Sequence, residues 1–216
     1  MSQEAGLLPM LLTIDVEYPD RPVPDPCQSL NAILEVVATR GQPVGFLVQG
    51  RWAMAHPDLV TRMAALDPDL GLHGYAHVNH SRLHVRGLAA ELADGLAALR
   101  AILPYHEVRF CRFPYGDSAS RSDATALLVR HGLTAVGWDY ASRDWDVTIS
   151  DAEAWERIRP ACVRGGVVLF HSWVPRTARL IARLLDHEGP AHAVRFRDIP
   201  LPYVSDHGLV YLNPQA

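Results

Sequence analysis

Short apolar runs alternate with stretches in which apolar residues recur every three or four positions, and the alternation persists from residue 10 to residue 187. Apolar runs bounded by turn residues read as strands buried on both faces, and the three-to-four spacing reads as helices with one face on a core. The pattern predicts strands over Met10–Val16, Val44–Val48, Asp69–Leu72, Val108–Arg112, Thr134–Trp138 and Val167–His171. It predicts helices over Leu30–Ala38, Leu59–Leu66, Gly87–Leu103, Ser122–His131 and Thr177–His187, with Leu88, Leu92, Leu96 and Leu99 forming the clearest core-facing stripe. Strand followed by helix, repeated along a chain, is the signature of parallel β/α units and places the protein in the α/β class. Tyr18–Pro26 stands apart: four prolines in nine residues fix φ and remove donors, which predicts an ordered, non-helical loop. It follows the first strand directly, where a parallel barrel builds its site, so it is expected to form a wall facing substrate.

Composition narrows the partners. No Ser/Gly-rich or charge-rich linker divides the 216 residues, so one domain over 1–216 is expected. A formal net charge of −4 with interspersed signs argues against nucleic acid or an anionic membrane as the main partner. Cys27, Cys111 and Cys162 are odd in number and widely spaced, which suggests free thiols rather than disulfides or a thiolate metal site. No stretch approaches the ~18 apolar residues of a membrane span. Met1–Gly6 has neither a basic start nor a long apolar segment, so a cytoplasmic protein acting on small substrates is expected. Oligomeric state is not legible in the sequence.

The chemistry-bearing residues lie at the ends of successive apolar segments. His73 and His77 are set four apart directly after a run ending at Leu72. Two neutral imidazoles converging from one short segment suit a divalent transition metal, although the same spacing also serves solvated or capping histidines. Upstream, Thr13-Ile14-Asp15-Val16-Glu17 closes a strand with two carboxylates. Downstream come Arg112-Phe113-Pro114-Tyr115-Gly116, then Asp144-Trp145, then Leu169-Phe170-His171. Taken singly, Arg112 could be a structural ion pair, Asp144 an N-cap and His171 a strand-end histidine. His80 and His84 extend the histidine run and are read as surface residues. Asp139 could line the pocket, and Trp52, Trp155 and Trp173 read as packing residues, with Trp173 close enough to His171 to reach substrate.

The order of these segments resembles the polysaccharide deacetylase superfamily, carbohydrate esterase family 4. That family shows a strand ending in Asp, a His-x-x-x-His, an Arg-x-Pro-Tyr/Phe, an Asp-Trp and a Leu-x-His, and each has an ordered counterpart here. The resemblance implies a single-domain distorted (β/α)7-type barrel and a hydrolase of non-peptide C–N bonds, most simply a deacetylase or deformylase of an amino sugar. Its substrate would be a small molecule or short oligosaccharide, and its cofactor a divalent metal, zinc being the expected ion. It implies His73 and His77 as metal ligands, Asp15 as general base and His171 as general acid. Asp144 would then orient His171, Arg112 would hold Asp15 through a bidentate contact, the Tyr115 N–H would serve the oxyanion, and Trp145 and Trp173 would contact substrate.

One position departs from the family. Its usual first motif carries two adjacent Asp, the second a metal ligand, whereas this chain has Val16 there. Side chains at i and i+2 of a strand share a face, so Glu17 can join Asp15 in a pocket while Val16 points away. Glu17 is therefore expected to be the third ligand. The alternatives are hydrolysis of a cyclic amide or imide, and a metal-free carbohydrate-binding pseudoenzyme.

Overall fold

The computed structural model describes residues 8–116, 122–189 and 191–199. Met1–Gly6, on which the cytoplasmic expectation rests, lies outside them. The elements are β1 (Leu8–Val16), α1 (Pro26–Arg40), β2 (Gly45–Val48), α2 (Gly50–Ala55), α3 (Pro57–Ala64), β3 (Asp69–Leu72), α4 (Val85–Ile102), β4 (Phe110–Cys111), α5 (Ser122–Arg130), β5 (Thr134–Ala135), β6 (Tyr140–Ala141), α6 (Asp151–Ile158), α7 (Ala161–Arg164), β7 (Gly166–His171), α8 (Thr177–Leu185) and β8 (Ala191–Ala193). Every strand pairing is parallel, and the order is β5-β4-β3-β2-β1-β7-β6, with β8 beside the start of β1. From Met10 to Val16 every residue of β1 is buried, as the continuous apolar run requires of a strand covered on both faces.

The ends of this sheet are joined by only four residues, 136–139. Val136 N–H donates to Cys111 C=O at the end of β4, and Asp139 N–H donates to Val167 C=O on β7. Seven strands laid flat would separate their edges by ~29 Å, whereas the five peptide steps from Ala135 to Tyr140 reach at most ~18 Å. The sheet is therefore curled into a (β/α)7-type barrel. The strand expected over Thr134–Trp138 is broken for the same reason. Its first residues pair with β4, and the chain then crosses to pair with β7 as β6. The strand expected from Val108 is shortened to Phe110–Cys111.

Local signals place the helices. Asp25 caps α1, its carboxylate accepting from Gln28 N–H at 2.9 Å, and Pro26 takes the first helical position, where a missing N–H costs nothing. Thus Pro26 closes the proline loop as the first residue of a helix, and α1 starts four residues before the expected Leu30. The sequence reading missed α6, although Ser150 and Glu153 form a capping box there. Leu88, Leu92, Leu96 and Leu99 are buried on α4 as expected.

Candidate active site

The strand register aligns the candidate residues at one end of the barrel. Asp15 on β1 stands level with His171 on β7, His73 directly follows β3 and Arg112 directly follows β4. These are carboxyl ends of parallel strands, where (β/α) barrels collect their chemistry. A cavity of about 670 Å³ opens there, lined by Asp15, Glu17, His73, His77, Tyr115, Trp145, His171 and Trp173 among others.

Alternation along β1 separates Val16 from its neighbours. Val16 is fully buried in the core, while Asp15 and Glu17 face the cavity. Past the strand, Gln49 accepts from Tyr18 N–H at 3.1 Å and fixes the exit. The Glu17 carboxylate is 2% exposed, and Trp173 Nε1–H donates to its Oε1 at 3.3 Å. The other oxygen, Oε2, lies 2.6 Å from His77 Nε2 and 3.1 Å from His73 Nε2. Nδ1–H of His73 donates to Arg112 C=O at 2.9 Å, which leaves an Nε2 lone pair directed at Glu17. His77 Nδ1 faces Asp20 Oδ1 at 3.7 Å. Two imidazole nitrogens and a carboxylate oxygen thus converge within 4.8 Å, and the buried Oε2 has no hydrogen-bond donor of its own. A proton or a cation must sit among them, and this nitrogen–oxygen donor set suits zinc. Burial by itself raises the Glu17 pKa, but the contacts with His73 and His77 outweigh it and hold the carboxyl well below its ordinary range. Burial pulls the His73 pKa down, while Asp15 and Glu17 together push it above the usual imidazole value. Both shifts express one demand for positive charge at this point.

Arg112, 1% exposed, spans the barrel interior. Its Nη1 donates to Asp15 Oδ1 at 2.7 Å, Nη2 to Thr13 Oγ1 and Gly137 C=O at 2.8 Å each, and Nε to Val136 C=O at 3.2 Å. The contact with Asp15 is single, not the bidentate one expected. Of the remaining contacts, one reaches Thr13 on β1 and two hold the 136–137 crossing, so one guanidinium closes the barrel and fixes Asp15. Asp15 Oδ2 is left on the side of His73 Nε2, 3.6 Å away.

Across the cavity, His171 Nδ1–H donates to Asp144 Oδ1 at 2.8 Å. Asp144 is fully buried, and its Oδ2 also accepts from the His171 N–H at 2.8 Å and from Thr177 Oγ1 at 2.5 Å. Burial lowers the His171 pKa, but the Asp144 charge and hydrogen bond reverse this and, with Glu17 and Asp15, raise it to about 9. Asp144 itself lies below its ordinary value, because His171 and Thr177 outweigh its burial.

His80 and Asp139 depart from their sequence reading, and His84, Trp52 and Trp155 keep to theirs. His80 is fully buried against Phe113 and faces Glu91, so it is no surface residue, whereas His84 caps α4. Asp139 is not among the cavity lining: its Oδ2 accepts from Val167 N–H at 2.8 Å. Trp173 is buried on Glu17, while Trp145 and Tyr115 are exposed at the rim. Trp52 and Trp155 pack in the core. Asp20 and Arg21 bring the proline loop into the cavity wall. His77, Tyr115 and Arg143 hold left-handed backbones with φ of 53°, 61° and 52°. Such strain, of order 1–3 kcal/mol each, persists where surrounding contacts fix it and clusters at functional sites. All three residues line this cavity.

Residues 9–136 match the family model of polysaccharide deacetylases, and the chain belongs to that family. A chitooligosaccharide deacetylase of Sinorhizobium fredii is 30% identical over 143 residues, covering 66% of this chain and 65% of the relative. The chain thus spans slightly less than two thirds of that curated relative. Among solved structures, a family 4 carbohydrate esterase from Streptomyces lividans in complex with acetate superposes with a TM-score of 0.74 at 21% identity, covering 97% of this chain and all of that one. A family 4 pseudoenzyme from Bacillus anthracis superposes with a TM-score of 0.72 at 18% identity, covering 89% of this chain and 65% of that one. These likenesses place the fold among family 4 carbohydrate esterases. Among the described residues no helix is long and apolar enough to cross a membrane.

Proposed function

We propose that the protein is a metal-dependent hydrolase of a C–N amide bond, removing the acetyl group of an amino sugar in a short oligosaccharide or similarly small substrate. The observation that carries this reading is the convergence of Glu17, His73 and His77 between Asp15 on one side and the His171–Asp144 pair on the other. Glu17, His73 and His77 would hold the ion. Bound there, a divalent ion supplies Lewis-acid chemistry, polarising an amide carbonyl and lowering the pKa of water. Asp15, its Oδ1 held by Arg112, takes the proton of the attacking water on Oδ2. The Tyr115 N–H, in the strained turn beside His77, stabilises the oxyanion. His171, its Nδ1 committed to Asp144, presents Nε2 to the cavity and protonates the leaving amine. With its pKa raised to about 9, it carries that proton at neutral pH. Tyr115 and Trp145 at the rim offer aromatic faces to sugar rings, and the family membership and the named activity of the Sinorhizobium relative support an N-acetylated oligosaccharide.

The test is acetate release from N-acetylated chitooligosaccharides by zinc-loaded and chelated protein, alongside N-formyl sugars and cyclic imides as alternative substrates. Zinc-dependent acetate release supports the proposal, and release unaffected by chelation overturns it. Val16 and the pseudoenzyme among the structural neighbours favour a second reading, a metal-free binding domain, which predicts no bound metal and no hydrolysis.

A further inference from the structure

The loop that carries His73 and His77 is held from behind by a residue that no metal-ligand pattern would select. Glu91 lies on α4, and its Oε2 accepts from the N–H of Tyr75 at 2.9 Å and of Ala76 at 3.0 Å. The same oxygen stands 3.4 Å from Nε2 of the fully buried His80. The loop carbonyls turn the opposite way. Gly74 C=O accepts from Gly50 N–H at 2.9 Å and Tyr75 C=O from Arg51 N–H at 3.0 Å. Each face of the loop backbone is therefore satisfied by a different helix, α4 for the donors and α2 for the acceptors, as buried peptide groups require.

Close packing makes the arrangement possible. A Cβ on Gly95, one turn after Glu91, would come within 2.5 Å of Leu72 Cδ1 and 3.2 Å of Gly74 C=O, and one on Gly50 within 2.9 Å of Gly95 Cα. Glycine at both positions lets α2 and α4 press against the end of β3, which brings Glu91 to the loop. Gly74 has a φ of 68°, and a Cβ there would meet His80 Nε2 at 3.1 Å and Glu91 Oε2 at 3.3 Å. Glycine takes that backbone without strain, whereas His77, left-handed at 53°, is strained just beyond the peptides that Glu91 binds.

We propose that Glu91 is a positioning residue for the metal site: by binding the Tyr75 and Ala76 N–H groups, it holds His73 and His77 in the geometry that gives the chain its affinity for a divalent ion. This rests on the metal reading of Glu17, His73 and His77 given above. Partners that hydrogen-bond the ligands themselves typically set metal affinity by about 10–100-fold, and Glu91, which holds the loop between two ligands, is expected at the lower end of that range. The test uses the full chain with zinc, its Kd read by competition with a chromophoric chelator, and with cobalt, whose visible spectrum reports ligand geometry. Thermal unfolding in EDTA monitors the metal-free fold. Glu91→Asp, one methylene short of the loop, should weaken zinc by tenfold or more and alter the cobalt spectrum. Glu91→Gln keeps an acceptor oxygen and should bind within about threefold of the parent protein. A Glu91→Asp protein that binds zinc as tightly as the parent, whether or not its unfolding temperature falls, overturns the proposal, because a purely structural Glu91 predicts that result. If the parent chain binds no zinc, the metal reading fails first, before any variant is compared.

Discussion

Two imidazoles in this cavity are each locked by a hydrogen bond on Nδ1, and the partners differ. His73 donates to a neutral carbonyl, that of Arg112, and its Nε2 meets the Glu17 carboxylate. His171 donates to the buried Asp144 carboxylate, and its Nε2 is left to the open cavity. A carbonyl fixes a tautomer without adding charge, so His73 offers a lone pair, and the carboxylates on its far side call for a cation. A carboxylate behind the ring stabilises the imidazolium itself, and His171 becomes a proton carrier with a pKa of about 9. The same side chain is thus made ligand or acid by what lies behind it, and each partner is set by strand register.

The hardest break in this contrast is removal of a ligand. His73→Ala should lose metal while His171→Ala keeps it in full. Dividing the ~10–16 kcal/mol of a structural zinc site among about four ligands gives about 3 kcal/mol, or more than a hundredfold in Kd, for one imidazole. Elemental analysis of the two purified variants checks this, and equal zinc in both would erase the distinction between the two corners.

Next in size are the proton carriers. His171→Ala and Asp15→Asn should each lower kcat by about 10²–10⁴ with metal retained. Adding Asp144→Asn to His171→Ala should change the rate little, since Asp144 then has no ring to orient. Independent, fully additive losses in single-turnover kinetics would show that the pair does not act as one unit.

Asp144→Asn alone sharpens the comparison through pH. His171 acts as an acid only while protonated, so activity should fall as pH rises through the His171 pKa, which Asp144 holds above the usual imidazole value. The Asp144 charge is the largest influence raising that value, and its removal leaves burial to pull it down. The alkaline limb of kcat should therefore move to lower pH, and on that side a pKa lower by one leaves about a tenth of the protonated form. An unmoved limb would assign the titration to another group.

The smallest effects belong to β1. Glu17→Gln should weaken zinc by about tenfold, because an amide oxygen is a poorer ligand than a carboxylate. Val16→Ala should leave zinc binding unchanged and cost about 1.5–2 kcal/mol of stability, measured by urea unfolding, for the buried methyl groups lost. The reverse ranking in zinc affinity would place the third ligand at the wrong residue.

Much of this was written locally. Strand and helix periods gave the barrel's elements because burial on two faces or one imposes its own spacing, and the two-residue repeat of β1 already separated Val16 from Asp15 and Glu17. That reading lacked α6, whose capping box is local, and it lacked the roles of residues whose partners lie on other elements. Glu91 looks like any solvated acid on α4 until Gly50 and Gly95 let the helices close on the loop. Asp139 reads as a pocket acid, yet the curl of the sheet turns it onto β7. The break between β5 and β6, and the four-way grip of Arg112 across it, exist only once seven parallel strands bend far enough for their edges to meet. Asp15, Glu17, His73 and His171 were legible in the sequence as cavity residues because each lies at the end of an apolar strand or directly follows one. Tertiary structure alone decided which nitrogen of each histidine faces a carboxylate, because Glu17 meets His73 and His77, and Asp144 meets His171, only across separate β/α units.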